Sequence, residues 1–472
     1  AVTFTNKAAG EMRDRVVSLL QKAGGSAGYA PTVSTFHSFC VRLLRREGTP
    51  LAQIRPSFTT NFTVYDADDQ LAVVKAVYKA IGLDDKFMQH RAALSAISNA
   101  KSKKQRPEDM QAAATSPIEE RLAAVYQHYQ AKLYASNALD FDDLLLESVR
   151  LLQHDQATRT RLNERYEFLM VDEYQDTNHS QYELMRLLSE QRRNVAVVGD
   201  EDQSIYGWRG ANIRNILDFE RDFPGAITVR LEQNYRSTKN IIEAASAVVA
   251  NNTERIGKWL WTDSGEGDKI ELYSAPDSEN EALWIADKIE TLIAAHPREP
   301  IAVLYRTNSQ SRQIEEALRR YGRKYVVVGG FIFYQRAEIK DIVAYLKAAV
   351  SPQDTISLLR IINVPARGIG RTTVEQIEQY GVEHQLSAWE GMEKMLEENQ
   401  FPGRAAAALS AFYRMMDEIS SGVETRPIAD TLRLILDRSG YKRMLEEENS
   451  IEAQSRLANL DELLNAAADA DE

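Results

Sequence analysis

The chain is poor in cysteine, has no long apolar run and has no excess of basic residues. Cys40 is the one cysteine among 472 residues, which excludes a disulfide framework or a multi-cysteine metal site and fits a reducing compartment. No apolar run approaches the roughly 20 residues of a membrane span, so no membrane partner is expected. With 57 Lys+Arg against 69 Asp+Glu the net charge is −12, which argues against a cationic coat for nucleic acid but leaves room for a local basic groove.

Short apolar runs alternate with helical sequence, which is typical of an α/β fold whose parallel sheet is covered on both faces. We expect strands at residues 1–4, 32–35, 168–171, 195–198, 227–231, 301–305 and 325–328. The stretches from about 40 to 165 and from about 331 to the end are rich in helix formers. The pattern therefore predicts two α/β units, each with a helical insertion.

Two carboxylates, Asp172 and Glu173, directly follow the apolar run at 168–171. At the carboxyl edge of a parallel sheet, where ligands bind in such folds, the Asp can hold Mg²⁺ and the Glu can orient or deprotonate a water that attacks phosphate. A solvated strand end or a helix cap is the alternative.

The run at 195–198 leads into a second polar cluster, residues 199–211. Here Gln203 can sense a terminal phosphate, Tyr206 and Trp208 can stack on unpaired bases, and Arg209 can meet a carboxylate or phosphate. The aromatic residues can instead belong to a core. A Trp between Gly207 and Arg209 in a polar, turn-rich segment favours the functional interpretation.

A third polar cluster, residues 232–237, follows the run at 227–231. Arg236 can act as an arginine finger on a γ-phosphate, and Tyr235 can stack on a purine. Alone this signal is weak, because Arg and Tyr are common at strand ends.

Taken in this order, the clusters resemble the UvrD/Rep/PcrA group of superfamily 1 DNA helicases, which move 3′→5′ on single-stranded DNA. Residues 3–9 resemble motif Ia of that family, 35–38 motif Ib, 172–175 motif II, 199–211 motif III and 234–237 motif IV, and 304–308 and 336–341 resemble further family blocks. The resemblance implies RecA-like motor domains of the P-loop NTPase fold, with ATP and Mg²⁺ as cofactors. It also implies a cytoplasmic, nucleoid-associated bacterial protein that acts on single-stranded DNA and single–double-strand junctions, with repair or replication proteins as partners.

The resemblance also implies a role for each matching residue. Asp172 would bind Mg²⁺, Glu173 would activate water, Gln203 would link the γ-phosphate to DNA, Tyr235 would stack on adenine and Arg236 would be the finger. The single-strand track would be lined by Phe4, Tyr206 and Trp208, with Asn6, Lys7, Thr35, His37 and Arg209 beside it. Gly368 and Gly370 resemble a loop that grips duplex backbone, although an ordinary turn is the alternative.

The family layout predicts four parts. Residues 1–40 and 165–228 would form the first motor subdomain, 41–164 its helical insertion, 229–330 the second motor subdomain and 331–472 the second insertion. Two smaller interpretations concern single clusters. Lys101, Lys103, Lys104 and Arg106 would contact DNA phosphates or form a solvated helix end, and Cys40 would be a packing residue.

The phosphate-binding loop G-x-x-x-x-G-K-[ST] is missing from the sequence. The one Gly-Lys pair, Gly257-Lys258, is followed by Trp259, and Asn252 stands where the leading glycine belongs. We therefore expect an internal fragment of a helicase, without this loop and without the C-terminal motifs, that hydrolyses little ATP by itself. The alternatives are the motor subunit of a recombination helicase–nuclease and a non-catalytic DNA-binding remnant.

Overall fold

The protein is described by a computed structural model that covers residues 1–22, 31–84, 86–253, 255–328, 333–384, 386–448 and 450–471. These residues form two compact units. Unit 1 comprises residues 1–229, 254–256 and 338–472, and unit 2 comprises residues 230–253 and 257–337.

Most of the described chain is helical. The helices are α1 Asn6–Lys22, α2 Phe36–Glu47, α3 Ala67–Ala80, α4 His90–Ser102, α5 Pro107–Ala113, α6 Pro117–Ala135, α7 Phe141–His154, α8 Gln156–Arg165, α9 His179–Leu188, α10 Arg214–Leu217, α11 Phe219–Asp222, α12 Lys239–Val249, α13 Ser278–Ala295, α14 Asn308–Arg320, α15 Ala337–Val350, α16 Thr355–Ile361, α17 Arg371–His384, α18 Ala388–Glu397, α19 Gly403–Ser420, α20 Ile428–Ser439, α21 Tyr441–Glu448 and α22 Ile451–Asp471. The strands are β1 Val2–Thr3, β2 Ser34–Thr35, β3 Thr63–Val64, β4 Ala138–Leu139, β5 Leu169–Val171 and β6 Val195–Val197.

A four-stranded parallel sheet of order β2-β1-β5-β6 organises the first part of unit 1. Val2 is paired with Ser34 on one side and with Val171 on the other, and Val171 is paired with Val197. The four strands therefore end at one edge of the sheet, as the alternating pattern predicted. Apolar side chains of α2, α7 and α9 form a shared core with the strand residues.

The segment predicted as the first helical insertion contains α3–α8 and a short parallel pair, β3 and β4. Its core includes the fully buried rings of Tyr65, Tyr78 and Tyr129. Lys101 is also buried, and its Nζ lies 2.6 Å from Asp140 Oδ2 and 2.8 Å from Asp143 Oδ1. Neither alternative for the basic cluster holds for this lysine, because two aspartates bind it inside the protein.

Helices α15–α22 belong to unit 1 and pack against this helical segment. Tyr65 donates a hydrogen bond of 2.7 Å from its hydroxyl to Asp354 Oδ1, and Lys347 Nζ lies 2.8 Å from Asp69 Oδ2. Ile356 adds an apolar contact to the core around Tyr65. Residues almost 300 positions apart in the sequence are thus joined by buried polar and apolar contacts.

Unit 2 contains α12–α14, and its small core lies between α13 and α14. The strands expected at 227–231, 301–305 and 325–328 are not hydrogen-bonded strands in the structure, so these predictions are wrong. Leu304, Val326 and Val328 are about nine-tenths exposed. An apolar run predicts a strand only where a second strand pairs with it, and these runs have no such neighbour within the described residues. None of the helices in the described ranges combines the length and apolar composition needed to cross a bilayer.

Candidate functional site

Polar side chains follow each of the strands of the main sheet at the edge where the strands end. The Asp172 backbone N–H donates to the Val2 carbonyl at 3.0 Å, which continues the pairing of β5 with β1 by one residue. Thr3 Oγ1 donates to Asp172 Oδ2 at 3.3 Å. Asp172 is therefore held at the sheet edge by two neighbours on β1.

Glu173 has an unusual backbone conformation. Its φ of 51° and ψ of 43° lie in the left-handed region, which costs an L-residue about 1–2 kcal/mol. The chain leaves the extended conformation of β5 at this residue and enters a 3₁₀ turn at Tyr174–Asp176. The side chain of Glu173 is exposed. Backbone strain of this kind is concentrated at functional sites, so the conformation is an independent indication that Glu173 acts in one.

Gln175 connects the two polar clusters. Its Nε2 donates to Glu173 Oε2 at 2.8 Å, and its Oε1 accepts a hydrogen bond of 3.0 Å from the Asp200 backbone N–H. The side chain is 1% exposed. Gly199 makes room for it, because a Cβ on residue 199 would lie 2.6 Å from Gln175 Oε1.

The sequence predicted no role for Gln175 or Gly199, although both lie in the matched motifs. Their role depends on β5 and β6 being neighbours in the sheet, and a single sequence does not show which strands are neighbours. The charge of Glu173 also reaches Asp176, where burial and then this repulsion raise the pKa of the Asp176 carboxyl.

The second cluster forms a short 3₁₀ turn at Glu201–Gln203. Gln203 is exposed, and its Nε2 donates to Asp200 Oδ2 at 2.7 Å. Asp202 Oδ2 lies 2.6 Å from Arg255 Nη2 in the same unit. These contacts orient Asp200 and Gln203 on the edge that also carries Asp172.

The two predicted stacking residues are close to each other. The ring centres of Tyr206 and Trp208 are 6.5 Å apart, with 39° between the ring planes. Tyr206 is half-buried, whereas Trp208 is 74% exposed, so the core interpretation is wrong for Trp208. The side chain of Arg209 lies outside the part of the chain that the structure describes.

The residues expected beside the single-strand track follow β1 and β2. Thr35 caps α2 by accepting from the Ser38 backbone N–H at 3.2 Å, and Ser38 Oγ donates to Asn6 Oδ1 at 3.5 Å. The neighbouring Lys7 is exposed. The structure therefore brings Thr35 and Asn6 together through Ser38.

Aromatic contacts hold the other two residues of this group. Phe4 contacts the ring of Phe36 edge-on, with 6.4 Å between the centres. His37 contacts Phe141 in the same way at 5.9 Å, and burial lowers the pKa of the His37 imidazole.

The remaining predicted residues lie elsewhere. Tyr235 and Arg236 belong to unit 2, both are exposed, and Asn234 Oδ1 accepts from the Arg236 backbone N–H at 2.9 Å. Gly368 and Gly370 belong to unit 1 and immediately precede α17. Gly368 has a φ of 77°, which a glycine adopts readily and which fits both the ordinary turn and the predicted loop.

The chemistry of the sheet edge fits a hard cation. Within the described ranges, no group of three or more His, Cys, Asp or Glu side chains is arranged to hold a metal ion. Mg²⁺ needs no such group, because it takes one or two carboxylates and completes its shell with water and phosphate oxygens. Asp172, with Glu173 beside it, offers this donor set.

The chain is similar to known proteins along nearly its whole length. The family described as the UvrD/REP helicase N-terminal domain matches residues 1–224, and the UvrD-like helicase C-terminal domain matches residues 229–472. The chain is 43% identical to an ATP-dependent DNA helicase PcrA of Bacillus subtilis over 470 residues, which is 98% of this chain and 62% of that protein. It is 43% identical to the PcrA helicase of Staphylococcus epidermidis over 480 residues, 100% of this chain and 64% of that protein. The chain thus spans less than two thirds of the length of these relatives, and it belongs to the family of UvrD-like helicases.

Proposed function

We propose that this chain is the DNA-translocating part of an ATP-dependent helicase that moves 3′→5′ along single-stranded DNA and unwinds duplexes. The observation that carries the proposal is the meeting of three side-chain types at one sheet edge. Asp172 and Glu173 stand after β5, Gln203 follows β6, and Trp208 lies exposed a few residues further on. Phosphate chemistry and base stacking would thus be joined by one short segment.

Each residue has one task in this proposal. Asp172 holds the cation, and Glu173 accepts the proton of the attacking water. Gln203 contacts the terminal phosphate through its amide, and Trp208 stacks on a base of the strand. Tyr235 stacks on adenine, and Arg236 neutralises charge that develops on the γ-phosphate.

Bound Mg²⁺ and ATP would supply a polarised phosphate and the free energy for movement. The 472 residues contain no G-x-x-x-x-G-K-[ST] loop. The cradle for the β- and γ-phosphates is therefore not among them, and we expect the chain alone to release little phosphate even with DNA present. The proposed partners are single-stranded DNA, its junctions with duplex, and repair or replication proteins in the bacterial cytoplasm.

Binding of single-stranded DNA tests the proposal directly in this chain. Trp208→Ala should weaken the binding of labelled oligonucleotides by about 5- to 150-fold, since one base–aromatic stack contributes roughly 1–3 kcal/mol. Trp208→Phe should recover part of the loss. Trp259→Ala is the matched control, because Trp259 is similarly exposed at 78% but lies in unit 2. Fluorescence anisotropy is the measurement, and wild-type affinity in Trp208→Ala would refute the stacking role.

Hydrolysis tests the catalytic assignment in a protein that joins this chain to a phosphate-binding loop. Glu173→Gln should lower the steady-state turnover of ATP by about 10²-fold or more with saturating single-stranded DNA, because the amide cannot accept the proton. Binding of DNA and nucleotide should be unchanged. Turnover above about a tenth of the wild-type rate would show that Glu173 is not the general base.

A further inference from the structure

A groove of about 660 Å³ runs along the outer face of α9 in unit 1. Its walls come from three elements, namely α9 with the loop after it, the turn that follows α4, and the end of α11. The side chains that matter here are those of Lys104, His179, Tyr182, Arg186, Arg193 and Phe223. Three of these six carry a positive charge, and two acidic residues, Glu183 and Glu190, also line the groove.

Two arginines in this groove lie over aromatic rings. The guanidinium of Arg186 is 5.8 Å from the ring centre of Tyr182, and that of Arg193 is 5.9 Å from the ring centre of Phe223. In the described part of the chain, neither arginine forms an ion pair with a carboxylate. Arg186 hydrogen-bonds to the Tyr182 hydroxyl, and Arg193 donates only a long bond of 3.5 Å to the Asp222 carbonyl.

Other charges of the groove are already neutralised. Lys104 is bound to Glu183, and Arg159 Nε lies 3.0 Å from Glu190 Oε2. An arginine that rests on a ring keeps donors at the edge of its planar fork, and these donors suit phosphate or carboxylate oxygens. The uncompensated charge of the groove therefore comes from Arg186 and Arg193, both of which are exposed.

One end of the groove adjoins the segment that carries Trp208. A Cβ on Gly210 would lie 3.0 Å from Ser102 Cβ, so the turn that leads to Lys104 touches the backbone just after Trp208. Asn178, the residue before α9, forms an antiparallel bridge with Ala211. Two walls of the groove thus begin at the stacking segment.

We propose that this groove holds the sugar–phosphate backbone of the strand whose base stacks on Trp208, with one phosphate at Arg186 and another at Arg193. The inference rests on the proposed function and extends the DNA path along α9. Arg186 covers one face of the Tyr182 ring, and Arg193 covers one face of the Phe223 ring. The groove therefore offers phosphate contacts rather than rings on which bases could stack. The contact is therefore independent of base sequence.

The test compares Arg186→Ala/Arg193→Ala with wild type in the full chain, using oligothymidines of about 4 to about 16 nucleotides at several salt concentrations. Each lost phosphate contact on a single strand lowers the slope of log K against log salt by about 0.7, so the double variant should lose about 1.4. Between 1 M and 0.1 M salt this slope change amounts to a factor of about 25, so the double variant should bind about 25-fold more weakly at 0.1 M if the two proteins bind equally at 1 M. The loss should occur with long oligonucleotides and disappear with the shortest ones, which reach Trp208 but not the groove.

Two further variants isolate the cause. Arg192→Ala is the matched control, since Arg192 precedes Arg193 but pairs with Glu167 at 3.3 Å, and it should bind like wild type. Arg186→Lys/Arg193→Lys keeps both charges and should keep most of the salt slope. Arg186 and Arg193 are both exposed, so the melting temperature of each double variant should stay close to that of wild type.

The outcomes separate this inference from the proposed function. One result would overturn the proposed role of the groove and leave the proposed function intact. In that result, Trp208→Ala weakens the binding of DNA, but the double alanine variant has the same salt slope as wild type. Failure of the wild type to bind any oligothymidine would overturn the proposed function and the groove together. If thymidine monophosphate or inorganic phosphate competes as strongly as an unlabelled oligonucleotide, the groove binds a free phosphate. That result would refute the proposal that it binds a DNA strand. Stronger competition by polyglutamate of equal charge would assign it to an acidic peptide.

Discussion

Gly199→Ala should destabilise unit 1, although alanine fits the backbone conformation of this residue. The new Cβ would lie 2.6 Å from Gln175 Oε1, 2.9 Å from Ile216 Cδ1 and 3.2 Å from the Tyr174 backbone nitrogen. Such contacts require shifts of several tenths of an ångström. Ile216 can move, but the Tyr174 nitrogen belongs to the backbone.

The movement of Gln175 decides the magnitude. Its amide is held by Glu173 at one end and by the Asp200 N–H at the other, so displacement breaks at least one of these hydrogen bonds. Overpacking costs about 1–3 kcal/mol, and an unpaired buried N–H adds about 1 kcal/mol or more. Lower entropy of the unfolded chain returns about 0.4–1 kcal/mol. We expect the free energy of unfolding to fall by about 2–3 kcal/mol in total.

Urea denaturation followed by circular dichroism measures this change, with Gly10→Ala as the control. Gly10 lies inside α1 with open space around its Cα, so alanine there should stabilise by up to about 1 kcal/mol. Gln175→Ala should cost less in the Gly199→Ala background than in wild type, because the two substitutions share one contact. The reasoning is refuted if Gly199→Ala unfolds at the same urea concentration as wild type, or at a higher one.

Two further predictions concern the buried charges around Lys101. Lys101→Met should lower the free energy of unfolding by about 3–5 kcal/mol in the same urea assay, because it leaves the carboxylates of Asp140 and Asp143 buried without their cation. A smaller loss of stability than that caused by the surface substitution Arg192→Ala would contradict this prediction. Burial, followed by repulsion from Asp140, raises the pKa of Asp142 from 3.8 to about 7. The folded state therefore holds a proton that the unfolded state releases, and this group makes stability fall as the pH rises from about 4 to about 7. Asp142→Asn should remove this fall, so its free energy of unfolding should rise relative to that of wild type between pH 5 and pH 8. Parallel pH profiles of stability for the two proteins would show that the pKa of Asp142 is not raised.

The part of the site that could be predicted is the part that depends on strand ends. Parallel strands end at one edge, so Asp172 after β5 and Asp200 after β6 had to lie on the same side of the sheet. The exposure of Trp208 followed from its polar, glycine-rich surroundings. Each of these inferences needs only the local sequence at a strand end or around Trp208.

The rest depended on partners that the sequence does not specify. In the sequence Lys101 looked like Lys103 and Arg106, which are exposed, but Asp140 and Asp143, 39 and 42 residues away, bind it inside the protein. In the sequence Gln175 was only one residue of a matched motif. In the structure its amide connects Glu173, after β5, to Asp200, after β6. The apolar run at 325–328 had the composition of a strand, but pairing depends on a neighbouring backbone.

The hydrogen bond between Tyr65 and Asp354 has a consequence for the order of folding. It closes a chain loop of 289 residues, and closing such a loop costs about 5 kcal/mol of chain entropy by the logarithmic law. Lys101 and its aspartates close loops of only 39 and 42 residues, which costs about 1.7 kcal/mol less by the same law. On a ribosome the lysine cluster has all its members as soon as α7 has emerged, whereas Tyr65 has to wait for 200 further residues, from His154 to Asp354. The lysine cluster can therefore form before Asp354 is synthesised, and the Tyr65 hydroxyl is satisfied by water until then.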